Sequence, residues 1–376
     1  MSYHSFRRFT KGIIIFCNVA VVLFFLMGCY SVWFNPQHFW FVGFFTLAAL
    51  YLLLVMVGFL IFWLFVKPRL IFISLLGIAL AWKPLHQSLA IKWPVNFTMI
   101  KHPANVRVMS WNVELFDILE HKTHPERKQE MINIINQHLP DIACFQEVVA
   151  SDSSPSAINY IPDISTRLNL PNYFFSYNKK LDFDGKHHFG IVTFSKYPII
   201  SQHTMSYAPN DYNSIFQYID IVKEMDTFRV FNIHLQSLRF SEGNLKYIDD
   251  PSMKGEIDIE KSKSIISKFK TGFLKRQMQS EHIKKAIDES PYPVIVCGDF
   301  NDVPNSYAYS TIGKGLKNAF AEKGTGIGRT FYSISPTLRI DNIFTDKRFN
   351  VEQFVRIKKK LSDHFPIITD LFYEKQ

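Results

Sequence analysis

Polarity along the chain changes sharply near residue 100. Apolar side chains run almost unbroken from residue 12 to residue 34, pause at Pro36 and His38, and resume from Phe39 to Val66 before Lys67-Pro68-Arg69. Each run is long enough for the roughly 20 helical residues that cross a hydrocarbon core about 30 Å thick, so both are expected to be transmembrane helices. A third run, Leu70 to Trp82, is shorter. It spans if Lys83 snorkels to the interface, and is otherwise interfacial or re-entrant. The expected helices are therefore about 12–34, 39–66 and 70–84, in a membrane segment and linker covering residues 1–100. A cleaved signal peptide does not fit, because the apolar region is too long and repeats.

From Asn105 the texture changes to short apolar runs punctuated by polar ones, and a second domain is predicted over 101–376. Val106–Met109, Ile142–Phe145, Phe189–Phe194, Phe216–Val222, Phe228–Ile233, Val294–Cys297, Arg339–Phe344 and Ile367–Phe372 read as strands. Glu126–His138, with Met131, Ile134 and Ile135 on one face, reads as a helix, as do residues 275–288. The mixture lacks a regular βαβ period, which predicts α+β or sheet-on-sheet layers rather than a Rossmann unit. Neither GxGxxG nor GxxxxGK is present. Residues 241–274 are polar and weakly periodic, an excursion partly helical over 257–270. A lid, a membrane-facing flap and a solvated insertion are its three readings.

Charge then separates the two regions. The chain carries a net +9, yet the first hundred residues hold seven Lys/Arg and no acid, leaving +2 for the remainder. Net charge therefore gives no argument for nucleic-acid binding. Arg7, Arg8 and Lys11 precede the first span and Lys67 and Arg69 follow the second, which assigns both ends to the cytoplasm. Three spans put the second domain outside; two keep it inside. The three-span reading is adopted: an integral protein of a bacterial inner membrane with its second domain on the periplasmic or extracellular face. The four cysteines form no CxxC or Cys/His cluster, which argues against structural zinc and for small buried side chains.

Several apolar strands end in residues of catalytic type: Asn112, Glu147, His234 and Asp299. Strands aimed at one sheet edge converge their termini on one site. Glu147 suits a hard cation such as Mg²⁺, which prefers oxygen ligands. Asp299 can hold or deprotonate a water, and Asn301 can offer its amide to phosphate without adding negative charge. A carboxylate beside His364 would fix its tautomer and let it donate to developing charge. Asp363 is adjacent in sequence, but it can instead bind metal while Asp341 or Asp299 contacts His364; the residues alone leave this open. His187 and His188 lie near the same edge as structural or substrate-contacting groups.

Taken in order, Trp111-Asn112, Gln146-Glu147, Asn232-Ile233-His234-Leu235, Gly298-Asp299-Phe300-Asn301, Arg339-Ile340-Asp341-Asn342-Ile343 and Ser362-Asp363-His364-Phe365-Pro366 resemble the motif set of the endonuclease/exonuclease/phosphatase superfamily, deoxyribonuclease I-like. The resemblance covers roughly 101–376. It implies an α/β fold, a four-layer α/β sandwich with two packed mixed β-sheets, carrying a Mg²⁺-dependent hydrolytic site that Mn²⁺ can also serve. It further implies Glu147 as principal metal ligand, with Asn112 and Asp363 in support. Asp299 would orient or activate water and Asn301 hold phosphate. His364 would stabilise the transition state or transfer a proton, supported by Asp341. His234 matches the histidine that nuclease and sphingomyelinase members use at this strand end.

The expected activity is that of a metal-dependent phosphoester hydrolase, phosphodiesterase or phosphatase, at or near the membrane; the alternative is a Mg²⁺-dependent nuclease. A non-catalytic scaffold is disfavoured because no motif residue is missing. The expected partners are the lipid bilayer and a phosphoester, whether phospholipid head group, soluble ester or nucleic acid; no obligate protein partner is implied. A nuclease would use basic residues such as Lys179, Lys180, Lys186, Arg239, Lys246 and Arg329, which are scattered among acids. A lipid substrate would use rim aromatics such as Phe183, Phe189, Phe240 and Tyr307.

Overall fold

The computed structural model describes residues 3–93, 96–116, 123–151, 159–177, 187–206, 214–238, 240, 244 and 256–375. The N-terminal segment comprises α1 (Tyr3–Cys29), α2 (Pro36–Phe39), α3 (Val42–Leu47), α4 (Ala49–Val66), α5 (Ile71–Leu80) and α6 (Trp82–Ser88). Two of its helices are long and apolar enough to cross a membrane, or three if the pair around Ala81, bent by 64°, counts as one. The first apolar run becomes a helix that starts earlier than expected, at Tyr3, because Arg7, Arg8 and Lys11 extend it as a polar end. The second run is not one helix. It breaks at Trp40 and Ala48, where α3 turns to pack on the second domain: Phe44 meets Phe269 and Phe273 edge to face, and Gly43 leaves room for the Phe273 ring. Within the segment, Ser74 donates to Asn18 Oδ1 at 2.7 Å, a buried polar contact linking α5 to α1.

The remainder contains β1 (Val106–Asn112), α7 (Pro125–His138), β2 (Ile142–Ala150), α8 (Ile161–Leu168), β3 (Asn172–Tyr177), β4 (His188–Ser195), β5 (Ile199–Ser206), β6 (Ile215–Lys223) and β7 (Asp226–His234). It continues through α9 (Glu256–Asp288), β8 (Val294–Asp299), α10 (Tyr307–Ile312), β9 (Lys317–Asn318), α11 (Ala319–Lys323), β10 (Asp341–Thr345), β11 (Phe349–Arg356) and β12 (Ile367–Tyr373). Two six-stranded sheets form, ordered β11-β12-β1-β2-β4-β3 and β5-β6-β7-β8-β10-β9. Both are mixed: β1/β2 and β7/β8 pair in parallel, their neighbours antiparallel. The inner faces meet through Val108, Cys144, Ile219, Ile295, Cys297 and Leu371. Helices α7 and α8 cover one outer face through Met131, Ile135 and Ile164, and α9 and α10 cover the other through Ile283, Ile287 and Tyr309. The result is the expected four-layer α/β sandwich. Central strands such as β2 and β8 are buried along nearly their whole length, which is why the runs Ile142–Phe145 and Val294–Cys297 are continuous.

Several elements differ from the sequence reading. Strands β3, β5, β9 and β11 and helices α8, α10 and α11 were not anticipated. β5 is an edge strand whose Ile200, Ser201, Gln202 and His203 are all exposed, so it carries no apolar run to recognise. The helices expected over 257–270 and 275–288 are one, α9, because Gly272 does not break it and packs closely against Leu238. Residues 241–243 and 245–255 of the expected excursion lie outside the described residues. The strand expected from Arg339 starts at Asp341, since the Arg339 guanidinium is buried over Phe320, 3.9 Å from the ring centre.

Polar contacts fasten the N-terminal segment to the sandwich. Asn305 accepts from Ser31 Oγ at 2.6 Å through its carbonyl and donates from Nδ2 to the Pro84 carbonyl and Ser88 Oγ at 2.9 and 2.7 Å. Gln37 donates to Gln277 of α9 at 2.7 Å, and Arg339 donates to the Gln87 carbonyl. The turn after α1, at Ser31, and helix α6 therefore meet the same domain residue.

Candidate active site

Strand register brings the predicted residues to one end of both sheets. In the second sheet, Asp299 lies opposite His234 on the parallel side and opposite Asp341 on the antiparallel side. Gly298, just before it, is required by close approach: its φ is +147°, and a Cβ there would lie 2.0 Å from the Ile233 carbonyl oxygen. In the first sheet, Asn112 ends β1, and β2 has a register shift between Phe145 and Val148 that contains Glu147. Glu147 sits at φ 55°, a left-handed conformation that disfavours side chains other than glycine and that recurs at functional sites. Its neighbour Gln146 is buried and donates to Asn232 Oδ1 at 2.7 Å, while Asn232 donates to the Phe145 and Val192 carbonyls. This amide pair pins β2 to β7 across the core and fixes the bulge relative to His234.

The side chains converge on Asp299. Its carboxylate accepts from Asn112 Nδ2 at 3.1 Å and from the Asn301 backbone amide at 2.8 Å. Two histidines approach the same oxygen, His234 Nε2 at 3.6 Å and His364 Nε2 at 3.7 Å. His234 Nε2 is also 3.7 Å from Glu147. Asn301 uses its side-chain amide to donate to the Leu235 carbonyl at 3.0 Å. Asp363 lies 3.8 Å from His364 Nε2. The partner left open by the sequence is resolved in geometry: His364 Nδ1 makes a 2.8 Å hydrogen bond with Asp341, not with Asp363. Thr330 Oγ1 in turn accepts from the Asp341 amide at 3.0 Å.

Electrostatics divides the cluster in two. Burial alone would lower the His364 pKa, but the Asp341 and Asp299 charges and the Asp341 hydrogen bond outweigh it and hold the ring well above its ordinary value. His364 Nδ1 is held by Asp341, and Nε2 faces Asp299. Burial raises the Asp299 carboxyl, and the nearby histidines and amide only partly oppose it. The carboxylates on the other side are undercompensated. Burial, then the Asp363 charge, pushes Glu147 up to about 7 despite a hydrogen bond from Asn112. Glu114, absent from the sequence assignment, is pushed up to about 7 by burial and by Asp363, although it accepts from the Asp363 amide at 3.0 Å. Its only sequence signal was its position two residues beyond Asn112.

Ligand atoms of Asp299, Asp341 and His364 lie within 4.8 Å of one another, a spacing compatible with a metal. The expected ligands Glu147, Asp363 and Asn112 are not in that group, though they offer the oxygen atoms that a hard divalent cation prefers.

Other predicted contacts fall elsewhere. His188 is buried and stacks on Tyr177 with ring centres 4.1 Å apart, a packing role. Tyr307 donates to Glu281 at 2.8 Å away from the cluster. Phe240 lines a cavity of about 610 Å³ that opens from the site. Lys179, Lys180, Phe183, Lys186, Arg239 and Lys246 lie outside the described residues.

Comparison with known proteins agrees with the architecture. A sequence profile of the endonuclease/exonuclease/phosphatase family matches residues 109–364, and a profile of a domain of unknown function, DUF8431, matches residues 11–88. No curated protein matches the chain. The structure of an endonuclease/exonuclease/phosphatase from Bacteroides vulgatus superposes with a TM-score of 0.50 at 21% identity, over 72% of this chain and 99% of that one. An endonuclease/exonuclease/phosphatase family protein from Bacteroides thetaiotaomicron gives 0.51 at 17%, over 73% and 100%. At such identities the likeness is one of fold.

Proposed function

The chain belongs to the endonuclease/exonuclease/phosphatase family, and from that premise we propose that it is a Mg²⁺-dependent phosphoester hydrolase held in the membrane by its N-terminal helices. The observation that carries this reading is the pairing of undercompensated carboxylates around Glu147 with a charged His364–Asp341 pair, both facing Asp299. Glu147 and Asp363, with Asn112, would hold Mg²⁺, for which Mn²⁺ can substitute. The bound ion supplies a Lewis acid that neutralises phosphate charge.

The rest is done by the chain. Asp299, its carboxyl raised by burial, takes a proton from the attacking water. The water oxygen forms its bond to phosphorus as the ester P–O bond breaks, and the leaving oxygen is protonated by solvent or His364. His364 Nε2 donates to the phosphoryl oxygen on which charge accumulates, and Asp341 keeps the ring charged and oriented. Asn301 retains one amide proton for phosphate beyond the one given to Leu235. His234, between Glu147 and Asp299, adds a second imidazole.

We read the pair bent at Ala81 as a third pass, which would place the domain on the outer face of a bacterial inner membrane. Helix α1 has 27 residues, about 40 Å at 1.5 Å each, and the turn after it meets the domain at Asn305. Lys11 lies beside Lys67 toward the opposite end, gathering the basic residues on the face that the positive-inside rule makes cytoplasmic.

The full chain should be assayed in detergent with Mg²⁺ on sphingomyelin, phosphatidylinositol phosphates, bis-p-nitrophenyl phosphate and plasmid DNA. Phosphoester hydrolysis that stops with EDTA and returns with Mg²⁺ is expected. Undiminished turnover in EDTA would refute the metal assignment, and plasmid nicking far faster than all else would move the enzyme to the nucleases.

A further inference from the structure

The cavity that opens from the site has two chemically different ends. Glu147, Asp299, Asn301, Asp363 and His364 line one end. Phe44, Leu47, Ala48 and Tyr51, from α3 and the start of α4, line the other, faced by Phe240, Phe269 and Leu338 of the sandwich. Its volume of about 610 Å³ falls in the usual range for pockets that enclose a whole organic ligand, far more than a phosphate group needs.

The polar groups within the apolar end are already engaged. Tyr51 Oη pairs with Ser335 Oγ at 2.9 Å, and Ser335 also pairs with Thr337. Arg276 lines the cavity, but it is buried, 3.1 Å from Asp302, and donates to the Gln236 carbonyl. A sugar or a nucleotide would leave its hydroxyls facing rings and methyl groups, which costs free energy unless they are hydrogen-bonded. A hydrocarbon chain would meet no such cost. The same wall leads into α4, whose Leu54, Ile61 and Phe65 are 68, 56 and 81% exposed, as expected of a lipid-facing surface. Tyr51, apolar in body and polar at its tip, stands where that helix leaves the domain.

We propose that the substrate is an amphiphilic phosphoester drawn from the bilayer, its phosphoester at the carboxylate–histidine end and its hydrocarbon chain along the wall built by α3 and α4. The membrane segment is then part of the substrate-binding site as well as a tether. This rests on the hydrolase reading above and deepens it.

Methyl and hexadecyl p-nitrophenyl phosphate in mixed micelles separate the two ideas. In each, water adds oxygen to phosphorus, the bond to the aryl oxygen breaks, and p-nitrophenolate, an alkyl phosphate and a proton are released. With the full chain and Mg²⁺, kcat/KM is expected to be at least tenfold higher for the hexadecyl ester. That ratio should fall toward one in Ala48→Trp, which fills the cavity, and in Leu47→Gln, which makes its wall polar. It should persist in Leu54→Trp, on the lipid face of α4, which controls for partition into micelles. If Ala48→Trp does not fold, Leu47→Gln decides. A wild-type ratio of one, a ratio unmoved by the cavity variants, or an equal fall in Leu54→Trp overturns the proposal, while hydrolysis of the methyl ester keeps the hydrolase reading. Hydrolysis of neither ester overturns both.

Discussion

Replacing His364 by alanine is expected to lower kcat on any phosphodiester by about 10³-fold, the combined scale of a lost charge stabiliser and proton donor. The ring is the strongest cationic feature facing Asp299, kept charged by Asp341 at 2.8 Å and aimed by that bond. The backbone around it does not depend on the ring. Trp111 Nε1 donates to the His364 carbonyl at 2.9 Å, and the His364 amide donates to Ser362 Oγ at 3.1 Å, so both contacts survive truncation. Asp341→Asn, which keeps a hydrogen-bond acceptor but removes the charge that sustains the imidazolium, should give an intermediate loss. The checks are kcat for both variants and a thermal melt showing that the fold persists. Turnover retained within tenfold by a folded His364→Ala protein would remove His364 from the chemistry.

The largest effect on stability is expected at Arg107, inside β1. Its guanidinium makes a paired contact with Asp370 of β12, Nε to Oδ1 at 2.6 Å and Nη2 to Oδ2 at 2.8 Å. It also donates to the carbonyls of Thr98, Met99 and His138, which ties the linker from the N-terminal segment to the first sheet. Both side chains are almost wholly buried. Arg107→Ala leaves the Asp370 charge without its main partner and three carbonyls short of a donor. The expected cost is about 3–5 kcal/mol, because an unpaired buried charge is worse than no pair. For a domain of this size, that corresponds to a Tm lower by on the order of 10 °C. The double variant Arg107→Met/Asp370→Leu should recover much of the loss, since a packed apolar pair removes the stranded charge. A melting temperature for Arg107→Ala within about 2 °C of the parent would show that the pair contributes little.

The sequence reveals those features whose physical cause is local. Asn112, Glu147, His234 and Asp299 stood out because each follows an apolar run, and the sheets do gather them. The layered fold was legible for the same reason, since β2 and β8 are central strands that begin with continuous apolar runs. Features set by distant contacts were not legible. The bulge that turns Glu147 depends on the link between Gln146 and Asn232, residues 86 positions apart. Glu114 becomes part of the site only because the chain folds it against Asp363. The choice of Asp341 over Asp363 as the His364 partner needs the β8–β10 register. The second apolar run was read by length alone, and length cannot show that α3 breaks away to pack against Phe273. For that reason the apolar wall of the cavity, part of it from the N-terminal segment, had no counterpart in the sequence reading beyond Phe240.

The most direct test of the metal-dependent site is calorimetric titration of Mg²⁺ into the full chain and into Glu147→Gln, with phosphodiester turnover measured on the same samples. Saturable binding by the parent, at least tenfold weaker in the variant and accompanied by a parallel loss of turnover, is the predicted result. Equal Mg²⁺ affinity and equal turnover in the two proteins would contradict it.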